Sequence, residues 1–288
     1  MPVSDLHRRV AAVALAAAAG HGFALGGGNA LLAHGVISRR TQDVDLFTDQ
    51  EHGVQAAADA VQAALRRAGF QAERPDQAGG LSDMFPDIGE GLAEWIVTAA
   101  GGEQMLLQLA YFDRGRQPVV MDVGPVLDLE DAVGGKVCAL ASRVEPRDYA
   151  DVAAALERYS PAQLIGFARR LDPGLTGEDF AYAGRELDQM DDRVLAELGL
   201  SEHQLATLRE RFTAWPRDAR SASQEPESGN PAQHRPGHEQ PPAADRPESG
   251  TDDPRPDGGR QHQPGYEPVA QAGLDDPEAE PMTGLHRR

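Results

Sequence analysis

Residues 26–47 read GGGNALLAHGVISRRTQDVDLF. GFALGGG, just upstream, predicts a strand running into a glycine turn; NALLAHG predicts a short helix ended by Gly35; DVDLF predicts a second strand. Side chains two apart on a strand share a face, so Asp43 and Asp45 project together while Val44 and Leu46 face the core. Two carboxylates held that close repel each other unless a cation sits between them. Hard oxygen ligands on a rigid strand suit Mg²⁺, which keeps waters and completes its shell from substrate phosphates. The glycines are the complement: Gly26, Gly27 and Gly28 let the backbone approach a ligand, and amides opening the following helix can donate to phosphate oxygens.

Working outward, GVQAAADAVQAALRRAGF has helical periodicity with arginines and a glycine at its end. GLAEWIVTA, QMLLQLAYF and PVVMDVGPVL are three strand candidates separated by turns that permit hairpins. From Asp128 the pattern becomes helical: DLEDAVGGKVCALASR, RDYADVAAALERY, SPAQLIGFARRL, GEDFAYAGRELDQM and SEHQLATLRERF, several with Ser or Asp at the cap. The fold class is therefore α/β (α+β): a small mixed sheet flanked by helices over residues 1–127, then a helical part over 128–216 that completes the site. Residues 217–288 contain no Phe or Trp and are rich in Pro, Gly and acidic residues, so this stretch reads as a disordered tail.

The chain's net charge is −19, of which the tail carries −6, leaving −13 on the folded part. That balance argues against broad electrostatic capture of nucleic acid; a local basic face, from Arg143, Arg147, Arg158, Arg169 and Arg170, is what RNA would require. The single Cys138 excludes an intramolecular disulfide and a multi-cysteine zinc site, and fits a reducing, cytoplasmic setting. HRRVAAVALAAAAG has the basic flank and small residues of a secretory signal, but Asp5 precedes the arginines and Ser4 can cap an amphipathic helix packing Val10, Val13 and Leu15. No apolar run reaches the roughly 20 residues of a membrane span.

Other phosphate and metal motifs fail on single positions. The dinucleotide fingerprint meets Leu31 where a third glycine is needed, and a P-loop ending at Gly135-Lys136 meets Glu130 at its first glycine and Val137 after the lysine. An EF-hand meets Phe47 and Thr48 at a ligand and at the glycine. Lys136 itself is singular. Of 27 basic side chains it is the one lysine, a compact point charge suited to a triphosphate where a guanidinium fork does not fit. Gly134 and Gly135 before it would cost about 1 kcal/mol each inside a helix, which suggests close passage by a ligand. Arg143, seven residues on, shares that helix face and either adds a phosphate contact or pairs with a carboxylate. Pro146 starts a new element from which Asp148 can turn back toward Lys136, while Asp151 is expected to face outward or pair with Arg147.

A Gly-Gly turn opening a short helix, followed by Arg-x-Thr-x-Asp-Val-Asp on a strand, resembles the catalytic core of the DNA polymerase beta-type nucleotidyltransferases. GGGNALLAHG, RRTQDVDLF and the later KVCALASRVEPRDYADV together are similar to the AbiEii/AbiGii toxin family, which includes the mycobacterial MenT toxins. The resemblance implies Asp43 and Asp45 as Mg²⁺ ligands, Lys136 and Arg39 on the phosphates of an NTP, Thr41 at the family's Ser/Thr position and Asp148 as the active-site acid. It implies a third carboxylate on a later strand, for which Asp113 and Asp122 are candidates, with Asp113 taken as the metal ligand. It further implies transfer of NMP to a tRNA 3′ end, a block on translation, and a cognate antitoxin. The alternatives are a nucleotidyltransferase acting on a small molecule or protein, and a non-catalytic nucleotide-binding module.

Overall fold

The computed structural model describes residues 5–75 and 91–223. Its frame is a seven-stranded mixed sheet in the order β3-β4-β5-β2-β1-β7-β6. The strands are β1 (Ala24–Leu25), β2 (Asp43–Thr48), β3 (Gln71–Glu73), β4 (Leu92–Thr98), β5 (Gln104–Tyr111), β6 (Val119–Met121) and β7 (Gly124–Val126). Strand β2 lies in the interior, parallel to β5 and antiparallel to β1. Its alternation is the one DVDLF predicts: Val44, Leu46 and Thr48 are buried, and Asp43, Asp45 and Phe47 lie on the more open face.

The buried face of β2, β4 and β5, carrying Val44, Leu46, Trp95, Val97, Leu107 and Leu109, is roofed by α1 (Asp5–Ala17) and α3 (Gly53–Arg67). Helix α1 turns Val10, Ala11, Ala14 and Leu15 inward, and α3 turns Val54, Ala57, Ala58, Val61 and Leu65 inward, the 3–4 spacing of an amphipathic helix. Among the described residues no helix is long and apolar enough to cross a membrane.

Two strand expectations change. PVVMDVGPVL is not one strand beside QMLLQLAYF but a hairpin of its own, β6 and β7, on the far side of β1. Asp122 and Val123 form its turn and Gly124, at φ +117°, re-enters the sheet. Strand β3, only three residues long, escaped the sequence reading because so short a run has no measurable alternation.

The helical half follows as α4 (Leu129–Arg143), α5 (Pro146–Ala155), α6 (Pro161–Leu171), α7 (Gly177–Gln189), a short unforeseen α8 (Asp192–Ala196) and α9 (Glu202–Arg211). Asp128 caps α4, and Ser160 and Ser201 form capping boxes with Gln163 and Gln204. The two halves meet where α4 packs on α2 (Gly27–Ala33), the short helix after the glycine turn. Packing also continues past the expected boundary at 217: Arg217 clamps Asp188 of α7 with two hydrogen bonds of 2.8 Å, and Ala222 is buried. The rest of the expected tail, 224–288, lies outside the described residues.

Candidate active site

The glycine turn presses directly on the polar face of β2. The Gly26 amide donates to the Asp45 carbonyl at 2.8 Å, fastening the turn to the strand. Gly27 sits at φ +53°, and a Cβ there would fall 1.8 Å from Asp45 Oδ2. A Cβ on Gly26 would fall 2.1 Å from the Phe47 ring, and one on Gly28 would fall 2.6 Å from Thr41 Cγ2. The three glycines thus have a second reason beyond approach to phosphate: nothing larger fits over Thr41, Asp45 and Phe47.

Asn29, fully buried in α2, ties the same parts together. Its amide donates to the Asp43 carbonyl at 2.6 Å and its oxygen accepts from Thr41 Oγ1 at 2.8 Å. Sequence reasoning passed over Asn29, although a lone amide within an apolar run after three glycines was a usable signal, since a buried amide requires partners.

Asp43 keeps 27% of its side-chain surface open, and Arg147 Nη1 stands 3.7 Å from it. Asp45, also partly buried, lies beneath Gly27. Burial pushes its carboxyl up to about 6, with the Asp43 charge raising it further and Lys136, Arg147 and Arg143 pulling it down. Burial, more than the Asp43 charge, sets this rise.

Facing this pair are α4 and α5, whose contribution is a knot of buried charge. Asp148 and Asp151 both have side chains with 0% exposure. Arg143 grips Asp148 with Nε at 2.7 Å and Nη2 at 3.0 Å, and Arg39 grips Asp151 with Nε at 2.7 Å and Nη2 at 2.6 Å. Lys136, 14% exposed, bridges the two carboxylates at 3.5 and 3.2 Å. Residues three apart on a helix lie side by side, so one ammonium reaches both. Fully buried carboxylates are tolerable only with such partners.

Several expectations are corrected. Asp151 does not face outward or pair with Arg147; it is fully buried and joins Arg39 to Lys136, because α5 turns the third residue after Asp148 onto the same inner face. Arg147 instead pairs with Glu145 at 2.8 Å and reaches Asp43. Gly134 answers to helix packing rather than to a ligand: a Cβ would stand 3.1 Å from the Phe167 backbone of α6.

Asp113 is not brought to the aspartate pair. It is exposed two residues past β5. Gln108 is the residue level with Asp45, and Asp113 comes five residues later, past the end of β5. Its neighbourhood is that of Asp49 and Glu51, which with it raise the Tyr111 hydroxyl pKa behind the larger effect of burial. Asp122 lies in the β6–β7 turn at the sheet's opposite side. Among the described residues no group of three or more His, Cys, Asp or Glu side chains is arranged to hold a metal.

Nor do the five arginines form one uncommitted face. Arg158 donates to the His34 and Gly35 carbonyls, Arg169 lies over the Phe180 ring, and Arg170 lies over Phe167 while pairing with Glu130.

No curated protein sequence matches the chain. Similar solved structures include JHP933 of Helicobacter pylori, 14% identical over 73% of this chain and 91% of that one with a TM-score of 0.48. Another is a nucleotidyltransferase of H. pylori, also 14% identical, over 73% and 94% with a TM-score of 0.47. MenT4, a nucleotidyltransferase toxin of Mycobacterium tuberculosis, is 14% identical over 72% and 82% with a TM-score of 0.42. The family profile described as nucleotidyl transferase AbiEii toxin, type IV toxin-antitoxin system, matches residues 10–233, which include the glycine turn, the aspartate pair and the charge knot. The chain therefore belongs to the AbiEii family of nucleotidyltransferase toxins.

Proposed function

We propose that the protein transfers NMP from an NTP to the 3′ end of a tRNA in a Mg²⁺-dependent reaction, blocking translation in the cytoplasm until a cognate antitoxin opposes it. The observation that carries this reading is the meeting of Lys136 with the aspartate pair about ninety residues before it in sequence: the only lysine, held by the buried Asp148 and Asp151, lies close enough to Asp45 to favour its charged form.

The donor set fits Mg²⁺. Asp43 and Asp45 are hard oxygen ligands on one strand face, and an ion that takes the rest of its shell from water and phosphate needs few more from the protein. When bound, the ion would neutralise phosphate charge and polarise the reacting phosphoryl group. The chain's own residues do the remaining work: Lys136 meets phosphate oxygens, Asn29 fixes Thr41 and the Asp43 backbone, and the glycine turn shields Asp45 from solvent. Attack by the acceptor hydroxyl on the α-phosphorus forms a phosphodiester as pyrophosphate leaves.

The test is radiolabelled transfer from each of the four NTPs to total tRNA with Mg²⁺. Absence of labelled tRNA with every NTP, from folded protein, refutes the acceptor assignment. The commitment of Arg143, Arg147, Arg158, Arg169 and Arg170 to internal partners favours a second reading, in which the acceptor is a protein or small molecule. Label appearing in one of those fractions instead of tRNA would select it.

A further inference from the structure

Asp43 and Asp45 leave the cation short of protein oxygens, and no third carboxylate stands with them among the described residues. The sheet register indicates what does. Asp45 on β2 is level with Gln108 on β5, and Gln108 is level with Glu94 on β4. Strands are about 4.8 Å apart, so the three side chains form one row on one face, with Gln108 in the middle and both outer members acidic. Gln108 and Glu94 are each half-buried.

The amide in the middle has a defined orientation. Gln108 Nε2 donates to Glu94 Oε1. An ionised carboxylate accepts only, so Glu94 must take the NH₂ end of the amide. The amide oxygen is then left on the side away from Glu94, where the next strand is that of Asp45. A glutamine with no such neighbour could present either end; this one is set to present oxygen.

We propose that Gln108 supplies the third protein oxygen to the cation held by Asp43 and Asp45, and that Glu94 is the positioning residue that turns its amide. This inference rests on the reading of the aspartate pair as the metal site. It would explain how the site works without the third carboxylate: a neutral oxygen adds a ligand without adding a third negative charge beside Asp43 and Asp45.

The test uses Mn²⁺, an oxygen-seeking stand-in for Mg²⁺, titrated into the full-length chain and followed by the EPR signal of free ion. Gln108→Leu should weaken Mn²⁺ binding at least five-fold, and Glu94→Gln should weaken it less. The decisive variant is the exchange Gln108→Glu with Glu94→Gln. It preserves net charge and allows the hydrogen bond in reverse, but moves the carboxylate one strand closer to Asp45, so Mn²⁺ should bind several-fold tighter than to the parent. Asp45→Asn is the reference. If it abolishes binding while Gln108→Leu and the exchange leave the affinity unchanged, Gln108 is not a ligand and the inference fails alone. If Asp45→Asn leaves Mn²⁺ binding intact, the metal reading of the aspartate pair fails and this inference falls with it.

Discussion

Replacing Asp45 by Asn should stabilise the metal-free protein. In the folded chain burial raises the carboxyl from 3.8 to about 6, against the pull of Lys136. The folded state therefore binds that proton more tightly than the unfolded chain does. The group's contribution to stability is intact below pH 3.8, declines as pH rises, and is fully lost once pH passes about 6. The ionised form then costs about 3 kcal/mol at pH 8, roughly half of that at pH 5 and under about 1 kcal/mol at pH 4. An asparagine has the same shape under Gly27 and carries no charge, so it should recover most of each figure while abolishing nucleotidyl transfer. Urea unfolding of parent and variant in EDTA at the three pH values measures this, with equal denaturant slopes showing that the unfolded states match. A variant no more stable than the parent at pH 8, or a gain that fails to shrink toward pH 4, would refute the claim that desolvation dominates at Asp45.

Other outcomes follow from the same contacts. Asp151→Ala leaves Arg39 and Lys136 facing each other across a buried gap and should cost about 3–5 kcal/mol by urea unfolding, far more than an exposed substitution. Gly27→Ala forces a side chain into the Asp45 carboxylate at a positive φ, so the turn must shift; Mn²⁺ binding should fall together with thermal stability. Burial pushes the Cys138 thiol up to about 12, so thiol reagents at pH 8 should label native protein far more slowly than the urea-unfolded chain, and equal rates would contradict its placement between α4 and α6.

What the sequence made legible was whatever a local rule governs. Alternation in DVDLF set the two faces of β2, apolar spacing set α1 and α3, and caps at Asp128, Ser160 and Ser201 set three helix starts. The aspartate pair and Lys136 stood out by spacing and by rarity. The misread features all depend on the angle between elements that local rules leave open. Asp151 is directed inward only because α5 lies against α4 with that face turned to Lys136. Gly134 is explained only by the approach of α6, and Gln108 acquires its neighbours only through the register of β2, β5 and β4. The assignment of Asp113 failed for a related reason: the end of a strand is conspicuous in sequence, but the residue level with Asp45 is fixed by pairing.

The donors left over in the charge knot decide which cation serves the nucleotide. Arg39 spends Nε and Nη2 on Asp151 and Nη1 on the Arg40 carbonyl, so its fork is largely committed. Lys136 has three ammonium hydrogens and two carboxylate neighbours, at 3.2 and 3.5 Å, leaving one hydrogen for a phosphate oxygen. The lysine, being a rotatable point charge, can serve both carboxylates and the ligand; an arginine fork in its place would be consumed by one of them. Lys136→Met should thus reduce NTP affinity at least ten-fold in an equilibrium binding assay, whereas Arg39→Met should act mainly through unfolding free energy, with a smaller change in NTP affinity for the fraction that remains folded. Equal losses of affinity in the two variants, at matched folded fraction, would mean that Arg39 exchanges Asp151 for phosphate when the nucleotide arrives, and the division of labour argued from the donors would be wrong.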